Sequence, residues 1–259
     1  MPDGLVRMDG RSVVAVVPAY NEADRVGGTV VALRSIPEVR GVLVVDDGSG
    51  DPTSAQALTC GAAVIRIEAN LGKGGALNAG VAALRARVRR GAMRPPRALL
   101  LADADLGPSA AGLRPLIRPV LTGRADLAIG DLPSQEGSGG FGIAMRLARF
   151  GIRRFGGIDV REPLSGQRAV AWSALGALYP FAGRFGVEIA MTIDALTAGL
   201  QVAEIKVDVG HRATAINAAG VTHRFAQARA ITRELLSRQI ARRRATEAGC
   251  EMAWTSFGD

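Results

Sequence analysis

The chain is poor in residues that usually mark alternative ways of life. Of its 259 residues only two are cysteine, Cys60 and Cys250, far apart and outside any metal-ligand spacing, so no disulfide framework or zinc knuckle is expected. Aromatic residues make up 4% of the chain and no nucleic-acid-binding motif is present, which argues against a nucleic-acid partner despite a net charge of +8. Apolar residues reach 48%, yet no uninterrupted run approaches the roughly 18 residues that read as a bilayer span. Met1 to Arg11 carries charges and no apolar core, so neither a signal peptide nor an anchor is expected there. Lysine is scarce too: Lys73 and Lys206 stand against thirty arginines, a bias that favours phosphate-bearing partners because the guanidinium fork grips phosphate at two points.

Strand-like and helix-like runs alternate over the first 130 residues, the pattern of a mostly parallel sheet wrapped by helices. Strands are expected over Ser12–Val17, Gly41–Asp46, Ala62–Glu68, Arg97–Asp103 and Ala125–Gly130, with helices over Ala23–Ser35, Pro52–Gly61, Gly72–Arg90 and Ser109–Leu121. Ser134 to Gly140 has the composition of a mobile loop, a lid or a hinge. Beyond it a basic amphipathic helix is expected over Phe141–Phe155, with Arg146, Arg149 and Arg153 on one stripe and Ile143, Leu147 and Phe150 on the next. A helix over Phe185–Gly199, a strand over Gln201–Val209 and an Arg-rich helix over Thr222–Arg244 follow. We read one domain over 1–245, divided into a nucleotide-sugar half (12–130) and an acceptor half (131–245), with a tail at 246–259.

Three short motifs close three of the apolar runs: Pro18-Ala19-Tyr20-Asn21-Glu22, Val45-Asp46-Asp47-Gly48-Ser49 and Asp103-Ala104-Asp105. Open α/β sheets bind ligands at the carboxyl ends of their strands, so these residues gather where a site belongs. Asp103 and Asp105 share a face of an extended chain and suit a hard cation, Mg²⁺ or Mn²⁺, with positions left for diphosphate oxygens; a helix cap is the plainer alternative. Asp46 or Asp47 suits the N–H groups of a base, against a role that merely closes the Gly48–Gly50 turn. Gly72-Lys73-Gly74-Gly75 leads into a helix, so backbone N–H groups and one ammonium could face a phosphate. It is not a Walker loop, and no dinucleotide fingerprint follows the first strand, so a dehydrogenase is disfavoured. A nucleotidyltransferase would open with a glycine- and Arg-rich loop at 18–30, which is absent.

In this order the motifs resemble the family-2 type of GT-A glycosyltransferases over roughly residues 12 to 240. The resemblance implies a GT-A-like, Rossmann-type sheet, a nucleotide diphosphate sugar as donor, UDP-sugar favoured, and Mg²⁺ or Mn²⁺ as cofactor. It implies that Pro18, Ala19, Tyr20, Glu22, Asp46, Asp47, Lys73, Asp103 and Ala104 bind the donor, and that Asp103, Asp105 and His211 hold the metal. Glu162-Pro163-Leu164-Ser165-Gly166-Gln167-Arg168 is similar to the acceptor region of polyprenyl-phosphate sugar synthases, of the dolichyl-phosphate mannose synthase kind. Gly186-Val187-Glu188 with Gly210-His211-Arg212 is similar to glucosyl-3-phosphoglycerate synthases. Acceptor contacts are therefore expected from Ser165, Gln167, Arg168, Glu188 and Arg212, and catalytic roles from Glu188 and Lys73.

A lipid-phosphate acceptor in a cell-envelope setting is slightly favoured, with a small soluble phosphoacid as the alternative, because the basic helix suits an anionic membrane face. A cytoplasmic location is expected, either free or at the inner face of the cell membrane; a homodimer is left open.

Overall fold

The computed structural model describes residues 12–132, 141–182 and 186–210. Its first strand, β1 (Val13–Ala19), is valine-rich and buried on both faces, as a central parallel strand requires. Helix α1 (Ala23–Arg34) returns the chain to β2 (Val39–Asp46), which lies parallel to β1 with Ala19 opposite Asp46, so both strands end level. The short helix α2 (Thr53–Thr59) leads to β3 (Ala63–Arg66), and α3 (Gly72–Arg89) to β4 (Ala98–Leu101).

Next comes a 3₁₀ segment, Ala104–Leu113, kinked at Gly107 (φ 56°, ψ −142°), and then α4 (Arg114–Leu121). A single α-helix is expected here from Ser109, but Pro115 has no N–H to give the Ala111 carbonyl in a continuous α ladder, and the Arg114 N–H bonds that carbonyl instead, in the tighter 3₁₀ pattern. Strand β5 (Leu127–Asp131), helix α5 (Phe141–Gly156), strand β6 (Arg168–Ala171), helix α6 (Leu175–Leu178), helix α7 (Val187–Thr197) and strand β7 (Val202–Lys206) complete the described chain.

The seven strands form one sheet in the order β3-β2-β1-β4-β6-β5-β7. All pairings are parallel except those of β6, which runs antiparallel to both β4 and β5. This mostly parallel α/β arrangement meets the expectation, whereas β6 is an addition to it. Helix α3 lies very close to the sheet: a β-carbon on Gly80 would stand 2.9 Å from Val45 Cγ2 and 3.0 Å from Val16 Cγ1. That glycine fixes the height of the helix that carries Lys73.

The apolar stripe expected on helix α5 does not hold at Phe150. Ala148 and Ile152 are buried, while Phe150 is 65% exposed among the exposed Arg146, Arg149 and Arg153. The loop expected at Ser134 to Gly140 and the helix expected over Thr222–Arg244 lie outside the described residues. No helix among the described residues is long and apolar enough to cross a membrane.

Candidate active site

The first two motifs fold into one unit at the carboxyl ends of β1 and β2. Asn21 takes a left-handed conformation (φ 56°), which asparagine tolerates better than most residues. Its N–H donates to Ser49 Oγ (2.9 Å), and its Oδ1 accepts from the Gly50 N–H (2.8 Å). The Glu22 N–H donates to Thr53 Oγ1 (2.9 Å) and the Ala23 N–H to Asp51 Oδ2 (3.1 Å), so the start of α1 is capped from the neighbouring loop. Tyr20 is 48% exposed, Pro18 and Glu22 are half-buried and Ala19 is buried, a stepped rim along one edge.

The paired carboxylates have separate duties. Asp46 is fully buried; its oxygens accept from the Ser49 N–H (2.8 Å), the Ser54 hydroxyl and Arg66 Nη1 (2.8 Å). Burial opposes its ionisation, but the Ser49 and Ser54 hydrogen bonds and the Arg66 charge outweigh it and hold the carboxyl below its ordinary range. The structure thus corrects the reading of Asp46 as a base contact: it closes the turn. Asp47 accepts the backbone N–H groups of Leu71 (2.8 Å) and Gly72 (2.7 Å). At the start of α3 a side chain of this chain therefore takes the Gly72 N–H, the first of the expected backbone cradle, together with that of Leu71.

What α3 offers instead is Lys73. Its ammonium lies 2.5 Å from Asp103 Oδ1 and 2.9 Å from Glu188 Oε1. Burial alone would lower the Lys73 pKa, but the two carboxylates prevail and hold it above the ordinary lysine value, so the ammonium stays charged. Gln167, fully buried, braces the same group: its Nε2 donates to Asp103 Oδ2 (2.6 Å) while its Oε1 accepts the Asp103 N–H (3.1 Å). Expected as an acceptor contact, Gln167 is a support for Asp103 because both ends of its amide are spent there. Asp103 after β4 and Glu188 of α7 thus meet at one ammonium, with Gln167, just before β6, behind Asp103.

Asp105, two residues on, is half-buried, and no partner for its carboxylate is found among the described residues. Thr29 holds its turn in place, donating from Oγ1 to the Ala104 carbonyl (2.7 Å) and accepting the Gly107 N–H (2.8 Å). Two carboxylates separated by one residue, one of them open, offer the oxygen donors a hard cation takes. Among the described residues no group of three His, Cys, Asp or Glu side chains gathers there, so two protein oxygens fit the cation without enclosing it. His211 and Arg212 lie outside the described residues; the described chain ends at Gly210, whose N–H donates to Ser109 Oγ (3.0 Å).

Arg168 has a different place from the one expected of an acceptor ligand. It is 1% exposed, and its guanidinium donates to the Ser165 carbonyl (2.9 Å), Thr192 Oγ1 (2.9 Å) and the Pro163 carbonyl (3.2 Å). Burial pulls its pKa down to about 10, partly offset by Glu188 and Glu204, so it remains a cation at neutral pH. It ties the 163–165 loop to α7 from beneath. Ser165 is buried as well, with its hydroxyl unpartnered among the described residues. Thr29, Ser54 and Arg66 carry no sequence signal for their roles, because each partner lies in another element.

The sequence model described as Glycosyl transferase family 2 matches residues 14–171. An uncharacterized protein of Methanocaldococcus jannaschii is 30% identical over 62% of this chain and 65% of its own length. The glucosyl-3-phosphoglycerate synthase of Mycolicibacterium paratuberculosis is 29% identical over 71% of this chain and 60% of its own. This chain therefore spans less than two thirds of either relative. That of Mycobacterium tuberculosis is 30% identical over 88% of this chain and 74% of its own. Two crystal structures of the M. tuberculosis enzyme superpose over 88% of this chain. One, with Mn²⁺, UDP-glucose and phosphoglyceric acid, has a TM-score of 0.68 at 26% identity over 80% of that chain. The other, with Mg²⁺ and UDP, has a TM-score of 0.70 at 27% identity over 79%.

Proposed function

Since the chain belongs to glycosyl transferase family 2, we propose that it moves glucose from UDP-glucose to a small phosphorylated acid of the 3-phosphoglycerate class, with Mg²⁺ or Mn²⁺. One observation carries the reading: the Lys73 ammonium joins Asp103, at the strand ends of the nucleotide-sugar half, to Glu188 of α7 in the acceptor half. Donor and acceptor chemistry then share one charged group.

A divalent cation, when bound, offsets the charge that develops on the diphosphate leaving group. Asp105 would hold it through its open carboxylate, with His211 as the further ligand that the family resemblance implies. Lys73 is charged and held in position before any substrate arrives, so it stabilises leaving-group oxygens without reorganising. Asp103 and Gln167 set its direction. Glu188 presents a carboxylate oxygen to an acceptor hydroxyl, and Asp47 orients the helix that bears Lys73. Tyr20, Pro18 and Glu22 border the nucleoside.

The named relatives support a small phosphoacid over a polyprenyl phosphate. The burial of Arg168 supports the same choice, since that arginine belonged to the segment resembling lipid-phosphate enzymes. The reaction implies a cytoplasmic setting, where nucleotide sugars and phosphorylated acids meet. The test is transfer of labelled glucose from UDP-glucose to 3-phosphoglycerate or to a polyprenyl phosphate in detergent, with Mn²⁺ or with chelator. Metal-dependent product with 3-phosphoglycerate supports the reading; product with the lipid alone overturns it.

A further inference from the structure

Tyr179, Phe181 and the first turn of α7 meet α3 at three successive points. Arg85 places its guanidinium carbon 4.9 Å from the centre of the Tyr179 ring, which meets Phe181 edge to face at 6.2 Å. Asn78 binds the Phe181 backbone from both sides: its Nδ2 donates to the Phe181 carbonyl (2.9 Å) and its Oδ1 accepts the Phe181 N–H (2.8 Å). Lys73 then meets Glu188 at 2.9 Å. As α3 is followed backward from 85 to 78 to 73, the facing segment advances from 179 to 181 to 188. Asn78 and Arg85, seven residues apart, lie on one face of the helix.

These contacts differ in what they specify. A cation over a ring tolerates sliding, and an ammonium beside a carboxylate is a point charge with three rotatable donors. The Asn78 clip uses a donor and an acceptor on one backbone residue, so it fits only one register of the segment. Helix α3 is itself immobilised, by Asp47 at its start and by the close approach of Gly80 to the sheet. After Ala182 the described chain resumes at Gly186, whose φ of 115° suits glycine, and Glu188 follows in the first turn of α7.

We propose that Asn78 is a positioning residue: it fixes the register of the segment leading into α7 and thereby sets the Glu188 carboxylate against Lys73. The proposal rests on the reading of Glu188 as an acceptor-side group, but its test also has a readout without turnover. Asn78→Ala is expected to speed amide exchange over residues 186–190 about tenfold, because two hydrogen bonds that hold the preceding chain are lost. In the transfer assay it is expected to lower kcat about tenfold with the KM for UDP-glucose unchanged. The double variant Asn78→Ala/Glu188→Gln is expected to lose no more than Glu188→Gln alone, since both act through one group. Should Asn78→Ala not fold, Asn78→Asp keeps the acceptor for the Phe181 N–H, loses the donor and is judged by the same exchange measurement. Unchanged exchange over 186–190, or additive losses of kcat in the double variant, overturns the proposal. If Glu188→Gln leaves turnover intact, the Glu188 reading fails, and exchange alone decides the role of Asn78.

Discussion

Gly166 lies directly across the Lys73 ammonium: a β-carbon at residue 166 would stand 2.2 Å from Nζ and 2.8 Å from Asp103 Oδ2. The site is closed against even one extra carbon. Because the obstructing atoms are side-chain ends, Gly166→Ala is met by moving the ion pair and not the backbone. The expected outcome is a melting temperature within a few degrees of wild type and a kcat roughly tenfold or more lower, since misplacement by about 1 Å costs up to 10²-fold. Thermal melts alongside initial rates check it.

Lys73 is expected to be the most sensitive position for turnover. Lys73→Met removes the charge between Asp103 and Glu188 and is expected to lower kcat by roughly 10²-fold or more, the scale of losing one preorganised donor to a developing oxyanion. Since the carboxylates hold its pKa above the ordinary value, wild-type turnover is expected to show no alkaline limb assignable to Lys73 below about pH 10. A pH–rate profile up to that value checks the second part.

Asp46 ties acid stability to the turn that follows β2. Its folded pKa is depressed, so the unfolded chain binds more protons near the carboxylate range. The contribution is present above the unfolded pKa of about 3.9 and is lost as pH falls through the folded value. Asp46→Asn is expected to cost about 2 kcal/mol at pH 7, toward the lower part of the range for charged hydrogen bonds because Arg66 is 51% exposed. Urea titrations at pH 7 and pH 3 check this: the gap between wild type and variant is expected to shrink at the lower pH.

Arg168 is expected to matter to folding and not to acceptor binding. Arg168→Lys cannot serve Pro163, Ser165 and Thr192 together from one ammonium, and is expected to cost about 2–3 kcal/mol while leaving the acceptor KM unchanged. A raised acceptor KM at unchanged stability would return Arg168 to the acceptor site. Denaturant titration and acceptor saturation curves on the same preparation check both sides.

The comparison of sequence with structure turns on where partners lie. Strands β1, β2 and β4 are legible because each is an apolar run closed by its own motif, and period and punctuation are local. Strand β6 is not, since four residues beginning with an arginine give no strand pattern; Arg168 is interior only because carbonyls at 163 and 165 and a hydroxyl at 192 receive it. The same holds for Asn78, an ordinary polar position on a helix until Phe181, 103 residues away, meets it. Asp46 and Asp47 were recognisable as a pair at the site edge, but their division of labour depends on Arg66 and on the Leu71 and Gly72 amides, which no spacing reveals.

The antiparallel strand β6 sits between β4 and β5, with Leu99 opposite Val170 and Ala128 opposite Ala169. During synthesis, β1 to β4 and then β5 emerge before the strand that must separate them. A nascent chain that ends near residue 132 therefore carries β4 with one edge unpaired and β5 with both, and nothing to join them. Their joining waits on a contact some 70 residues away in sequence, the kind of pairing that slows folding. The carboxyl edge of β1, β2 and β4 thus emerges early and unfinished, and chaperone dependence is expected to peak in that interval.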